Sequence, residues 1–294
     1  MFIRVGEIAG HAAAIYDIEY DGKYIYSASG DKFIARWDKE TLSQDKFAIK
    51  FPFTPYTLSL NLAQNHLAVG LSDGALHIFD LEERKEIKHL QIHQKGIFTL
   101  EYLPELNWLL AADAEGFITI WKSNSYELVV RLPLDCGKIR AAKYHPETDS
   151  IIVGAQDGKI YSISCVTLNV SILANAHEGG VGTFLYLDKT EQFVTGGKDG
   201  HLRVWTSDWQ MVKEIPAHNY MIYDLLQLNE GQVVSASRDK SLKVWNVDEW
   251  SVIQKLDLKT KGHRHSVNKV ISIENGLFAT SSDDARILIW SPIV

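Results

Sequence analysis

Four groups of side chains in this sequence have the makings of a hydrolytic triad. His11, Ser27 and Asp31 form the first, His177, Thr195 and Asp199 the second, His218, Ser235 and Asp239 the third, and His263, Thr280 and Asp284 the fourth. In each, the hydroxyl residue stands four positions before the aspartate, and a tryptophan follows six positions after it, at Trp37, Trp205, Trp245 and Trp290. A hydroxyl nucleophile, an imidazole base and a carboxylate that orients the base is the division of labour in serine hydrolases. A nucleophile, however, needs access, an oxyanion site and a single copy. Four copies in phase point to groups that hold structure rather than break bonds.

The phase extends beyond these four groups. Counting from a turn residue, an apolar side chain falls at plus three and another at plus six. Asp31, Ile34 and Trp37 obey this count, as do Asp73, Leu76 and Phe79, then Glu115, Ile118 and Trp121, then Asp157, Ile160 and Ile163. Asp199, Leu202 and Trp205 follow, then Asp239, Leu242 and Trp245, and finally Asp284, Ile287 and Trp290. The last residues of these seven units are separated by 42, 42, 42, 42, 40 and 45 positions. A recurring period of this size marks a repeat architecture, and it overrides a domain count based on length.

Each unit reads as four short strands. In the first, Ile15 to Tyr20 alternates, Asp21-Gly22 turns, and Tyr24 to Ser27 runs into the Asp31 turn. Strands this short, punctuated every 8–12 residues and free of helical spacing, indicate an all-β fold. Asp-Gly at 73–74, 157–158 and 199–200 supplies the positive φ of a tight hairpin. Phe2 to Ile8 reads as one strand too many at the start, while the last unit stops one strand short after Trp290. The first strand is therefore expected to complete the last unit and remove an open edge. The reading is one domain over residues 1–294.

Bulk properties narrow the function. Of 294 residues, 46% are hydrophobic and 11% aromatic, so a large core is available. A formal net charge of −7 argues against a sequence-independent grip on nucleic acid, which needs a basic footprint. Cys136 and Cys165 make no disulfide framework and have no metal-ligand spacing. No run approaches the ~20 apolar residues of a membrane helix, and the opening residues lack an apolar leader core. The expectation is a cytoplasmic chain with no membrane contact, monomeric by itself and without cofactor. His263 with His265, and His89 with His93, are the histidine pairs close in sequence. The first pair is half absorbed by the repeat and the second does not share a helix face, so no metal site is expected.

The unit resembles the WD-repeat (WD40) family along essentially the whole chain. Gly10-His11, Ser27, Asp31 and Trp37-Asp38 match its pattern fully. Ala176-His177 through Trp205, Ala217-His218 through Trp245, and Gly262-His263 through Trp290 match it closely. The resemblance implies a seven-bladed β-propeller with a four-stranded antiparallel sheet in each blade and the N-terminal strand closing the last one. It is most similar to a compact, stand-alone protein of bacterial type. It also implies that each His, Ser/Thr, Asp and Trp set is a buried chain of hydrogen bonds running from the indole through the hydroxyl and imidazole to the carboxylate.

Three units depart from the pattern. In the second, Phe53 stands near the histidine position, Val69 replaces the hydroxyl and Phe79 the tryptophan. In the fourth, Cys136, Val153 and Ile163 take those places. Both units are expected to pack apolar side chains there, leaving Asp73 and Asp157 to serve the turn alone. The third keeps His93, Glu115 and Trp121 but has Ala111 for the hydroxyl, which predicts a half-kept network completed by a water.

By the same resemblance, one face is lined by residues at the start of each first strand and by the residue before each turn aspartate. These include Tyr16, Phe98, Arg140, Lys198, Tyr220, Met221, Tyr223, Arg238, Asn268 and Asp283. Tyr, Phe, Met and Arg are enriched in interface cores, and three cations in a negative chain suggest an acidic partner segment. The favoured reading is a non-catalytic scaffold that binds a protein or peptide on this face. The alternatives are a propeller hydrolase using channel groups such as Asp17 and Asp224, or a purely structural subunit of a larger assembly.

Overall fold

A computed structural model describes residues 1–293. Seven antiparallel four-stranded sheets follow one another along the chain. Blade 1 comprises Ile15–Tyr20, Tyr24–Ser29, Phe33–Asp38 and Gln44–Lys50; blade 2 comprises Pro55–Asn61, His66–Leu71, Ala75–Asp80 and Lys85–Gln91. Blades 3 to 6 begin at Ile97, Ile139, Val181 and Ile222, and blade 7 at Val267. The only helical elements among the described residues are three-residue 3₁₀ turns, and none is long and apolar enough to cross a membrane.

The first strands of consecutive blades touch one another around the ring, and blade 1 touches blade 7 in the same way. Each blade is therefore buried on both faces, which explains why its two middle strands read as nearly continuous apolar runs, such as His66–Leu71 and Ser150–Ala155. Seven apolar clusters fill the seven gaps between blades. Ile34, Phe47 and Leu67 lie between blades 1 and 2, for example, and Ile160, Phe184 and Trp205 between blades 4 and 5. Burying one such Ile or Phe contributes about 1.5–3 kcal/mol.

Closure follows the expectation. Phe2–Ala9 pairs antiparallel with Arg286–Pro292, with Phe2 opposite Pro292 and Ile8 opposite Ile287. Ile8 then packs in the gap between blades 7 and 1 with Ile18, Ile25 and Trp37, while Phe2 packs between blades 6 and 7 against Phe278. Arg286 Nη1 reaches Glu7 at 3.4 Å across the same pair of strands.

The turn between the second and third strands of each blade places one residue in the left-handed region. Glycine fills it at Gly74, Gly116, Gly158 and Gly200, whereas Lys32, Lys240 and Ala285 fill it in blades 1, 6 and 7. At Gly200, with φ at 78°, a Cβ would run into the carbonyl oxygen of His218, so two constraints exclude a side chain there.

Candidate interaction face

The four hydroxyl–histidine–aspartate groups are internal braces. In blade 1, His11 Nδ1 is 2.8 Å from Asp31, its Nε2 is 2.7 Å from Ser27 Oγ, and the Trp37 indole donates to that hydroxyl at 2.7 Å. Blades 5, 6 and 7 repeat the arrangement through Thr195, Ser235 and Thr280, whose hydroxyls accept from Trp205, Trp245 and Trp290 at 2.9–3.0 Å. Each of those hydroxyl residues is fully buried. Each hydroxyl is bonded to both the imidazole and the indole inside the blade, and at 0% exposure no substrate reaches it. Burial works against charge on Asp239, yet hydrogen bonds from His218, Ser241 and the Asn219 N–H outweigh it and hold the carboxyl well below the usual range. Burial likewise lowers His177 and His218, only partly offset by Asp199 and Asp239, which keeps both rings neutral.

Blade 3 corrects the sequence reading. Its network is complete, but built from other residues. His93 Nδ1 bonds Asp113, not Glu115, at 2.8 Å, and His93 Nε2 meets Thr119 Oγ1 at 2.8 Å. The Trp121 indole donates to the same Thr119 hydroxyl at 3.0 Å. Thr119 lies directly opposite Ala111, just as Ala35 lies opposite Ser27. The hydroxyl has moved across one rung of the ladder, which leaves it facing the same interior point. No water is needed, and Glu115 is exposed.

The same rung explains blades 4 and 2. Tyr161, opposite Val153, donates its phenol to Asp157 at 2.6 Å, so that carboxylate does more than hold its turn. In blade 2 the aromatic at the histidine place is Phe51, which is buried; Phe53 points outward and is 47% exposed. Opposite Val69 stands His77, packed edge-on against Phe51 at 5.2 Å and hydrogen-bonded outward to Glu86 at 2.8 Å. Each blade that lacks the usual hydroxyl thus carries a polar side chain on the facing rung. The second blade is therefore less purely apolar than its sequence suggested.

The face at the channel mouth arises from a backbone irregularity repeated seven times. Every first strand has a register shift one residue after its start, between Ile15 and Asp17, Pro55 and Thr57, Ile97 and Thr99, and at the matching places in blades 4 to 7. The extra residue of such a bulge is left unpaired and its side chain is re-aimed. The seven bulge residues are Tyr16, Tyr56, Phe98, Arg140, Gly182, Tyr223 and Asn268. Tyr16 meets Tyr56 edge-on at 5.3 Å, and Tyr56 stacks on Phe98 at 4.7 Å. Arg140 lies 5.2 Å from the Phe98 ring and 5.6 Å from the Tyr223 ring, spanning the blade where Gly182 presents no side chain.

These residues wall a cavity of about 410 Å³ whose lining also holds Lys138, Lys143 and Lys269 and the carboxylates Asp17, Glu101, Asp224 and Asp283. A second cavity of about 240 Å³ beside it is lined by Lys138, Arg140, Lys198, Met221, Tyr223 and Arg238. The structure therefore brings together Tyr16, Phe98, Arg140, Tyr223, Asn268 and Asp283 in one hollow, and Arg140, Lys198, Met221, Tyr223 and Arg238 in the next. Tyr220 lines neither; it is exposed beside Arg238, 5.9 Å from its guanidinium. Sequence reasoning missed Tyr56, which the bulge position would have found, and Lys138, whose ammonium sits 3.9 Å over the Phe98 ring.

Charge is unevenly distributed here. Among the described residues, no carboxylate lies within ion-pair distance of Lys138, Arg140, Lys198 or Arg238. Burial lowers both Lys138 and Arg140, and their mutual repulsion lowers Lys138 further. In the wall of the larger hollow, Asp17 Oδ2 accepts from Thr57 Oγ1 and the Leu58 N–H, each at 2.9 Å, and Asp224 Oδ2 accepts from the Val270 N–H at 2.9 Å. These carboxylates pin neighbouring blades together. Lys269 Nζ stands 3.5 Å from Asp17, whose charge raises the ammonium, while burial pushes Glu19 up to about 8.

Comparison with known proteins agrees with this architecture. The family model "WD domain, G-beta repeat" matches residues 2–38, 169–206, 209–246 and 254–291, half of the chain. The chain is 23% identical over 212 residues to a guanine nucleotide-binding protein subunit beta of Zea mays, an alignment covering 66% of this chain and 55% of the maize protein. It is 24% identical over 283 residues to the protein transport protein SEC13-2 of Candida glabrata, covering 79% and 91% of the two chains. It is also 24% identical over 300 residues to a 66 kDa stress protein of Physarum polycephalum, covering 97% of this chain and 47% of that one. The chain thus spans about half the length of two of these relatives. With seven four-stranded blades, their buried histidine braces and these matches in hand, the chain belongs to the WD40 repeat family.

Proposed function

We propose that this protein is a cytoplasmic, non-catalytic scaffold that binds an acidic protein or peptide segment at the channel mouth. One observation carries the reading: four cations without carboxylate partners, Lys138, Arg140, Lys198 and Arg238, line the smaller hollow beside Tyr223 and Met221, whose wall holds no carboxylate among the described residues, whereas the larger hollow next to it also carries Asp17, Glu101, Asp224 and Asp283. Holding like charges together in a chain of net charge −7 costs energy that a bound anion returns. Complementary charge sets the encounter rate and partner choice, while buried aromatic contacts supply most of the affinity. The segment's carboxylates would meet the cations, and its apolar anchor would enter beside Tyr223 and Arg140. The relatives named above, a subunit of a guanine nucleotide-binding protein and a protein transport protein, accord with an interaction role.

Peptide display on the full chain tests this. Selected sequences should be rich in Asp and Glu around a single large apolar residue, and their binding should weaken as salt rises. Arg238→Glu combined with Lys198→Glu should abolish the selection with little change in melting temperature, because both side chains are exposed. Tyr223→Ala should speed dissociation more than it slows association. Selection of neutral or basic sequences, or unchanged binding by the double variant, would place the interaction elsewhere.

A further inference from the structure

We infer that His77, Glu86 and His89 on the outer part of blade 2 form a binding site for a divalent metal ion of the zinc type. His77 lies on the third strand, Ala75–Asp80, and the other two on the outermost strand, Lys85–Gln91. His77 and His89 are directly opposite each other, and their rings stack at 4.3 Å. Glu86 precedes His89 by three residues, an odd offset that would ordinarily put the two on opposite faces of a strand. The register of the two strands shifts between Ile78 and Phe79, where Lys88 and Glu86 are their partners. That shift makes Ile87 an extra residue and brings Glu86 onto the face of His89. One possible ligand atom from each of the three residues lies within 4.8 Å of the others.

Two imidazoles and one carboxylate are a donor set suited to zinc, and three protein ligands leave a fourth tetrahedral position open. Bond lengths of about 2.0–2.1 Å require ligand edges of about 3.3 Å, so the exposed His89 ring must turn out of its 12° stack on His77 for the two lone pairs to converge. Both Glu86 and His89 are exposed and free to turn, while His77 is held by Phe51, Phe79 and the sheet. Blade 5 shows what this rung does when it is only structural. There the facing pair is Arg203 and Glu214, an ion pair that neutralises itself at 2.8 Å. In blade 2 the facing pair is two imidazoles, which gain nothing by pairing with each other and present nitrogen lone pairs to a cation. A bound ion would replace the hydrogen bond that His77 Nδ1 now makes with Glu86 at 2.8 Å, the neutral ring keeping its one proton on the nitrogen that does not bind the metal. The ion would tie the outermost strand to its neighbour and keep one coordination position open toward solvent. Sequence spacing does not show this set, because the two histidines are twelve residues apart and meet only through strand pairing.

The test is calorimetric titration of the metal-free full chain with zinc chloride in a non-coordinating buffer, with cobalt(II) absorption as a second readout. We expect one equivalent bound, tetrahedral cobalt bands, and a melting temperature that rises with zinc and falls back on chelation. His89→Gln and Glu86→Gln alter exposed residues and should leave the fold intact. Each should weaken zinc by at least the tenfold to hundredfold that loss of even an outer-sphere partner costs. His201→Gln, on the exterior of blade 5, should change nothing. Equal affinity and stoichiometry in wild type and His89→Gln, or cobalt spectra without tetrahedral bands, would overturn the assignment.

Discussion

Thr119→Val isolates the displaced brace of blade 3. The two side chains have nearly the same shape, so the substitution opens no cavity. What it removes is the hydroxyl that donates to His93 Nε2 at 2.8 Å and accepts from the Trp121 indole at 3.0 Å. Thr119 is fully buried and His93 is 1% exposed, so water reaches neither orphaned group. An unsatisfied buried donor or acceptor costs about 1–3 kcal/mol, and two of them give a loss of roughly 2–6 kcal/mol. For a domain of this size, about 2 °C of melting temperature goes with each kcal/mol, which corresponds to a fall of roughly 4–12 °C by scanning calorimetry. Asp113→Ala should cost as much, and Glu115→Ala no more than about 0.5 kcal/mol as an exposed surface change. Ala111→Ser added to Thr119→Val returns a hydroxyl to the strand that carries it in blade 1 and should recover at least half of the loss. A Thr119→Val protein that melts within a degree of wild type, or a Glu115→Ala protein that loses as much as Asp113→Ala, would refute the reasoning.

Asp239→Ala is expected to destabilise more than Asp157→Ala in urea titrations. The first orphans His218 together with the Asn219 N–H and Ser241, whereas the second strands one phenol, that of Tyr161, and loosens a turn; equal midpoint shifts would count against the buried network in blade 6. Removal of residues 1–8 should lower the melting temperature severely or prevent folding, since Phe2 and Ile8 leave two interblade gaps at once; a truncated chain within two degrees of the full one would disprove closure by this strand. Stability should fall as pH drops. Burial lowers His177 and His218, so the unfolded chain takes protons first below about pH 6.5. Asp199, Asp239 and Asp284 have depressed carboxyls whose contribution is present above about pH 4 and is lost below it; a flat profile from pH 7 to pH 4 in a Glu19→Gln background, where the opposing carboxyl is gone, would contradict the neutral buried rings. Glu19 has the opposite sign: its carboxyl is pushed up to about 8 by burial, so its protonated form favours folding and the advantage fades as pH rises from about 4 through 8. Glu19→Gln should therefore raise the melting temperature more at pH 9 than at pH 5, and a pH-independent effect would exclude this account.

The repeat was legible because its cause is local. A turn that needs positive φ, a buried side chain three residues on and another at six must recur in every unit for the blades to stack, so Asp73, Leu76 and Phe79 show the same count as Asp199, Leu202 and Trp205. Strand order, seven blades and closure by Phe2–Ala9 all follow from that count and from the period-2 alternation of short strands. The four complete braces were equally readable, since hydroxyl, aspartate and tryptophan hold constant offsets within one unit and the histidine lies 16 to 18 residues before the hydroxyl. What the linear order did not determine was any position fixed by a neighbouring strand. The blade 3 hydroxyl could move from residue 111 to Thr119 because those two residues face each other across a rung, a distance of eight along the chain and one step in the sheet. His77 and His89 converge for the same reason. The rim was half readable: the bulge that aims Tyr16, Tyr56 and Arg140 at the channel mouth is a property of paired backbones, and the hollow between Arg140 and Tyr223 exists because the intervening blade carries Gly182. Side-chain type is written along the chain, but proximity across strands is decided by register, and register is decided by the assembled ring.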